Sequence, residues 1–276
     1  MRIWICGVRG STPTPGSEFV RYGGNTSCLA IGHDGGPPSL VLDAGTGLRR
    51  AGALLAGEAF VGAILLGHLH WDHTQGLPFA PAFDRDDAQV ALYLPAQGDP
   101  VEVLSRAMGP PHFPILPTAL RGSWQFASME AGTSTIGGFR VLALDIPHKG
   151  GRTLGYRITD PAGRSLAYLS DHWPVALGPG PDGLGEYHPA ALELCAGADL
   201  VVHDAQYTAA EFPARKHFGH SAMEYAVGLA ARSGSSLLLY HHDPSRADDQ
   251  IDALAARFAG RQPCVRAAAE GMVIDL

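Results

Sequence analysis

The sequence predicts an α/β fold whose sheets are covered by helices on their outer faces. Three observations carry this. Short β-rich runs dominate the first part of the chain, and strand-like and helix-like segments then alternate to its end. The 35 glycines and 21 prolines among 276 residues favour tight turns and structured loops over long helices.

In chain order, strands are expected over residues 2–6, 26–31 and 40–42, followed by a helix over 47–56. Residues 61–66 form a continuous apolar run that reads as a strand buried on both faces and ends at a histidine-rich loop. Further strands are expected at 89–94, 139–144, 154–159, 165–169, 200–203, 236–240 and 271–275. Helices are expected at 100–108, 189–195, 221–233 and 247–258. Ser221 and Glu224 fit an S-x-x-E capping box at the start of the third of these. The Gly/Pro-rich stretch 178–185 reads as a surface connection. No linker, charge block or internal repeat divides the chain, so residues 1–276 are expected to form one domain.

Composition narrows the functional classes. The formal charge is −7, which disfavours non-specific binding to long nucleic acid, where Lys and Arg neutralise phosphate. Cys6, Cys28, Cys195 and Cys264 contain no CxxC pair and read as reduced thiols. The N-terminal MRIWICGV reads as a strand, not a signal peptide, and no apolar stretch reaches the roughly 20 residues of a membrane span. The expectation is a soluble cytoplasmic protein that does not engage a membrane.

The chemistry is concentrated in Gly67-His-Leu-His-Trp-Asp-His-Thr-Gln-Gly76, directly after the apolar run. His68, His70, Asp72 and His73 place three imidazoles and a carboxylate within six residues. Those donors suit zinc or a similar divalent ion. A loop turning sharply after a strand can aim His68 and His70 at one ion and Asp72 and His73 at a second. The bulky Leu69 and Trp71 are expected to point elsewhere and pack.

H-x-H-x-D-H resembles the motif of the metallo-β-lactamase superfamily, and the likeness continues along most of the chain. Gly7-Val-Arg-Gly-Ser-Thr-Pro13, Tyr22-Gly-Gly-Asn-Thr-Ser-Cys28, Leu42-Asp-Ala-Gly-Thr-Gly47, Gln75-Gly-Leu-Pro-Phe79, the Phe-Gly-His-Ser run at 218–221 and His241-His-Asp-Pro244 resemble its phosphodiesterase-like branch. That branch is related to ribonuclease Z, cyclic-nucleotide phosphodiesterases and the phosphonate-pathway cyclic phosphodiesterase. The resemblance implies a four-layer αββα sandwich. It also implies that His148, in Ile-Pro-His-Lys-Gly, joins His68 and His70 on the first metal. Asp171, in Tyr-Leu-Ser-Asp-His, would bridge both metals, and His241 would join Asp72 and His73 on the second. His242 competes with His241 for that place, and His172 is the neighbour most easily confused with Asp171.

The cofactors implied are two divalent cations, zinc first, with Mn²⁺ or Fe²⁺ as alternatives. Two ions about 3.5–4 Å apart acidify a bridging water and stabilise both the attacking and the leaving oxygen. The reaction implied is attack by that hydroxide on a small or cyclic phosphodiester. The catalytic candidates are Asp72 and His220, the latter resembling a histidine that contacts the scissile phosphate or protonates the leaving group. In ribonuclease Z that histidine is helped by a glutamate three residues before the bridging aspartate, where this chain has Tyr168.

Asp43 is expected to support a ligand histidine or the active-site loop, and His203 with Asp204 to support the metal site from behind. Asn25 reads equally as a substrate contact or a turn residue. Arg9, Arg21 and Arg49 read as surface ion-pair partners before phosphate ligands. His112-Phe113-Pro114 is expected to wall the pocket. The partner expected is a small-molecule phosphodiester, and homodimers are common in this branch. The alternatives are a thioester, lactone or β-lactam hydrolase on the same scaffold, a tRNA 3′-end endonuclease, and a non-enzymatic metal-binding regulator.

Overall fold

A computed structural model describes residues 1–276. Six strands come first: β1 (Arg2–Gly7), β2 (Cys28–Gly32), β3 (Leu40–Leu42), β4 (Val61–Leu65), β5 (Gln89–Pro95) and β6 (Ser123–Met129). Seven follow: β7 (Gly132–Ile136), β8 (Phe139–Asp145), β9 (Leu154–Thr159), β10 (Ser165–Leu169), β11 (Leu200–Asp204), β12 (Ser236–Tyr240) and β13 (Val265–Ala267). The last, β14 (Val273–Asp275), returns to pair with β1. One sheet has the order β14-β1-β2-β3-β4-β5-β6, and the other β13-β12-β11-β10-β9-β8-β7.

The two sheets repeat one plan. From β14 inward, and again from β7 inward, antiparallel pairings give way midway to parallel ones. The helices are α1 (Leu48–Ala53), α2 (Trp71–Thr74), α3 (Pro100–Ser105), α4 (Pro189–Cys195), α5 (Phe212–Arg215), α6 (Met223–Ser233) and α7 (Asp248–Ala256).

Side-chain alternation makes the layers. In β11, Leu200 and Val202 enter the core between the sheets, together with Ile3, Leu29 and Leu65 of the other sheet. Val201 points the other way, onto Leu194 of α4 and Leu229 of α6. On the first sheet, Ala30, Val41 and Ile64 face outward against Leu48 of α1 and Leu104 of α3. The result is four layers, αββα, as expected. Each fully buried Leu or Val side chain contributes about 1.5–3 kcal/mol.

At one end the sheets are joined by charge. The N-terminal ammonium lies 2.6 Å from Asp34 and 3.1 Å from Asp160, and Arg164 reaches the same two carboxylates at 2.7 and 2.6 Å. This clasp sits where β10 begins, opposite the end of β10 that leads to Asp171.

Most expected elements form, with shifted ends. Three strands go beyond the sequence expectation: β6, β7 and β13. All lie at sheet edges, where one side has no pairing partner and sequences such as GTSTI lack a continuous apolar run. The run at 61–66 is not buried throughout, because Val61 at the start of β4 is exposed. The helix expected over 100–108 ends at Ser105. The capping box is not formed: the Ser221 hydroxyl donates to the carbonyl of His172, and the Glu224 carboxylate accepts from the amide of Ala209. Helix α6 accordingly starts at Met223. No helix is long and apolar enough to cross a membrane.

Candidate metal centre

Strands β4, β10 and β12 deliver the candidate residues from both sheets to one end of the sandwich. Past β4, the amide of Gly67 donates to Asp43 Oδ1 at 2.7 Å, turning the chain into His68. His70 has extended backbone angles and caps the single turn α2, its carbonyl accepting from the amide of His73 at 3.0 Å. That turn buries Asp72 and His73 and leaves Trp71 outside. Leu69 is half-buried, so the expectation that both intervening residues pack fails at Trp71, which is 74% exposed. Asp171 follows β10 and His241 follows β12.

The seven sequence-predicted ligand residues converge. Donor atoms of His68, His70, His148 and Asp171 lie within 4.8 Å of one another, as do those of Asp72, His73 and His241. Asp171 stands between the groups. Its Oδ2 is 3.5 Å from His148 Nε2 and 3.8 Å from His68 Nε2, and its Oδ1 is 3.0 Å from His73 Nε2 and 3.3 Å from His241 Nε2. Asp72 Oδ2 is 3.2 Å from His241 Nε2 and 3.3 Å from His73 Nε2. His220 joins Asp171 and His241 in a third grouping, with Nδ1 3.6 Å from Asp171 Oδ2.

Supporting contacts fix these rings. Asp43 Oδ2 lies 2.8 Å from His73 Nδ1, the Gly219 carbonyl accepts from His148 Nδ1 at 2.7 Å, and the Ser11 amide donates to Asp72 Oδ2 at 2.7 Å. Asp204 Oδ2 lies 3.1 Å from His220 Nδ1 and accepts from the amide of His172 at 3.1 Å. Ser11, Asp43 and His241 all have positive φ, at 64°, 60° and 56°. Strained backbone of this kind clusters at functional sites.

The donor set fits cations. Both nitrogens of His68, Nε2 of His73, Oδ1 of Asp171 and Nδ1 of His241 are buried with no hydrogen-bond partner. Each such orphan costs about 1–3 kcal/mol unless something satisfies it. Burial holds the His68 imidazole well below its usual range and brings His148 down to about 4, which keeps their lone pairs free. Burial also opposes charge on Asp72 and Asp171, yet the surrounding imidazoles win and hold both carboxyls well below their usual range. At His241 burial is outweighed by Asp171 and Asp72, which lift it to about 9. A buried negative field facing unpartnered imidazoles suits divalent cations.

His242 is turned away, its Nε2 2.9 Å from the Ala268 carbonyl, while His241 Nε2 faces Asp72 and Asp171. His172 also turns away, into a buried chain with His203 (2.9 Å) and His188 (2.7 Å). Asn25 donates through its backbone amide and its side chain to the two oxygens of Glu270. Arg9 is not at the surface: it is fully buried, donating to the carbonyls of Gly23 and Arg246, because it ties two loops together. Arg21 is an exposed partner of Asp249 and Asp252, and Arg49 is exposed. His112 and Phe113 line a cavity beside the centre, not the centre itself. Sequence reasoning missed Ser11 and Gly219, which act through backbone atoms, and Gly10, where a Cβ would come within 2.5 Å of the His241 ring. Such roles leave no side-chain pattern to read.

The family model described as the beta-lactamase superfamily domain matches residues 39–242. The chain belongs to the beta-lactamase superfamily. Among its superfamily relatives, an uncharacterized protein of Mycobacterium tuberculosis is 29% identical over 94% of this chain and 88% of its own length. A ribonuclease Z of Haloarcula marismortui is 22% identical over 94% and 93%. The zinc-bound PqqB structure from Methylobacterium extorquens superposes with a TM-score of 0.71 at 18% identity, covering 100% of both chains, which shows the superfamily fold. Family and relatives together indicate a metal-dependent hydrolase.

Proposed function

We propose that this superfamily member is a phosphodiesterase that cleaves a small or cyclic phosphodiester at a centre of two divalent cations, zinc foremost. The observation that carries it is the two donor groups meeting at Asp171. His68, His70, His148 and Asp171 would hold one cation, and Asp72, His73, His241 and Asp171 the other. When bound, such a pair neutralises charge on phosphoryl oxygens and supplies an acidified water.

The chain's own residues do the rest. Asp43 and Gly219 orient the rings of His73 and His148, so their Nε2 atoms face the centre. His220, anchored through Nδ1 on Asp204, lines the cavity over the centre with Asp72 and Asp171. With Nδ1 held by Asp204, its Nε2 is the ring atom left to exchange a proton with the leaving oxygen. The chain's only two lysines support an anionic substrate: in a protein of net charge −7, Lys149, next in sequence to His148, and Lys216 are both exposed. Lys149 Nζ lies 5.0 Å from the Trp173 ring, whose Nε1 donates to the Lys216 carbonyl at 2.6 Å. Two exposed lysines in a chain of net charge −7 suit the steering of a small anion better than the grip on a long polynucleotide.

The test is a substrate panel on zinc-loaded protein: cyclic nucleotides, bis(p-nitrophenyl) phosphate, precursor tRNA, a thioester and a lactone. Cleavage of the small phosphodiesters is expected. Turnover of the thioester or lactone with no phosphodiester cleaved would sink the reading.

A further inference from the structure

Beside the centre lies a second cavity of about 320 Å³ whose wall includes Trp71, Gln75, Phe79, Met108, His112 and Phe113. Trp71 also lines the cavity over the centre, so the two spaces share one side chain as their boundary. We propose that this cavity binds a planar aromatic group of the substrate, a nucleobase or an aryl substituent, stacked on Trp71. The proposal rests on the phosphodiesterase reading and narrows it to diesters that carry such a group.

The placement of Trp71 is the first argument. It stands between His70 and Asp72, whose side chains belong to the centre, so its position relative to the reacting phosphate is fixed by them. Its exposure has no packing reason. Phe79, 62% exposed, meets Phe113 edge to face with ring centroids 5.7 Å apart. Single exposed apolar residues are ordinary; three aromatics around a concavity that shares Trp71 with the cavity over the candidate centre are not. The volume lies at the low end of small-molecule pockets, enough for one ring system.

The polar part of the wall chooses between flat rings and alkyl chains. The Gln75 amide nitrogen has only a 3.4 Å contact with Thr26, and its oxygen has none, while His112 offers an imidazole. A heteroaromatic edge would pair with these groups, whereas an alkyl chain would leave them unsatisfied. Base stacking on an aromatic side chain also tolerates any base, because every base presents a π-face.

Calorimetric titration of zinc-loaded protein with adenosine 5′-monophosphate and with ribose 5-phosphate isolates the ring, because the ligands differ in the base. Binding of the nucleotide at least about tenfold tighter is expected. In Trp71→Ala the preference should collapse to within about twofold, and in Trp71→Phe most of it should survive. Trp71 is exposed, and a far-ultraviolet spectrum and melting curve check that the variants fold. Equal affinity in the wild type, or a preference that survives Trp71→Ala, would overturn the proposal. So would loss of a dimer in Trp71→Ala with both ligands bound equally, since the patch would then be a protein interface. Assay of bis(p-nitrophenyl) phosphate on the same samples separates the two ideas. No cleavage with the base preference intact fails the phosphodiesterase reading alone; cleavage without any base preference fails the aromatic pocket alone.

Discussion

Tyr168 donates a 2.7 Å hydrogen bond to the same Asp43 oxygen that lies 2.8 Å from His73 Nδ1. Asp43 is fully buried, and its other oxygen accepts from Gly67, so one carboxylate holds a strand, the loop after another and a ligand ring. Where a glutamate relay would be sought, Tyr168 instead supports the centre from below. Asp43→Asn should lower zinc affinity about 10–100-fold by chelator competition. Tyr168→Phe should cost about 1–3 kcal/mol in urea unfolding with a smaller loss of affinity. Equal zinc affinity in Asp43→Asn and wild type would refute this role.

Gly10 touches His241 so closely that any side chain must displace the ring. Gly10→Ala is expected to release one equivalent of zinc first, seen by mass spectrometry of the native protein, while the inter-sheet core keeps its circular dichroism. Retention of full metal content would show that the ring can shift without consequence.

These two cases mark what is legible in the sequence. The candidate donors at His68–His73 can be read because the apolar strand and the side chains sit in the same few residues, whereas His148, Asp171 and His241 come only through the family resemblance. Asp43 is readable as a support but not as a three-way anchor, since its partners Gly67, His73 and Tyr168 come from separate segments. Gly10, Ser11 and Gly219 are silent because their work is done by backbone or by missing bulk. The exposure of Trp71 escapes a sequence reading for a related reason. The helical turn α2 sets which residues face inward, and a run of four residues carries no periodicity of its own.

His220 pairs with Asp204, and the two are expected to act together. His220→Ala should lower kcat on a phosphodiester about 10²–10⁴-fold with zinc content retained. Asp204→Asn should follow it, and the double variant should lose little more than His220→Ala alone. Additive losses would mean that the residues work separately.

His188 gives a pH test away from the centre. Burial brings it down to about 4 from an ordinary 6.5. Its folded value is depressed, so the unfolded chain takes up a proton across that window that the folded chain refuses. Stability from this group is full above about 6.5 and is lost as pH falls towards 4, by about 1–2 kcal/mol at pH 5. His188→Gln should show a smaller drop in urea midpoint between about pH 7.5 and 5 than the wild type. An identical drop would assign the acid sensitivity to other groups.

The ammonium–Asp34–Asp160–Arg164 clasp makes the sandwich mechanically lopsided. At that end the sheets are riveted by charges the chain itself carries. At the other, the His68–His73 loop of one sheet faces His148, Asp171 and His241 of the other across unpartnered atoms. With cations in place the site end gains a further set of ties; with a chelator it keeps only hydrogen bonds such as Tyr168 to Asp43 and Tyr156 to Leu66. Hydrogen–deuterium exchange should therefore speed up on chelation around residues 66–74, 170–172 and 240–242 and stay unchanged around 158–165, as a book held by its spine opens at the fore-edge. Uniform loosening along β10 would show that the two ends are not independent.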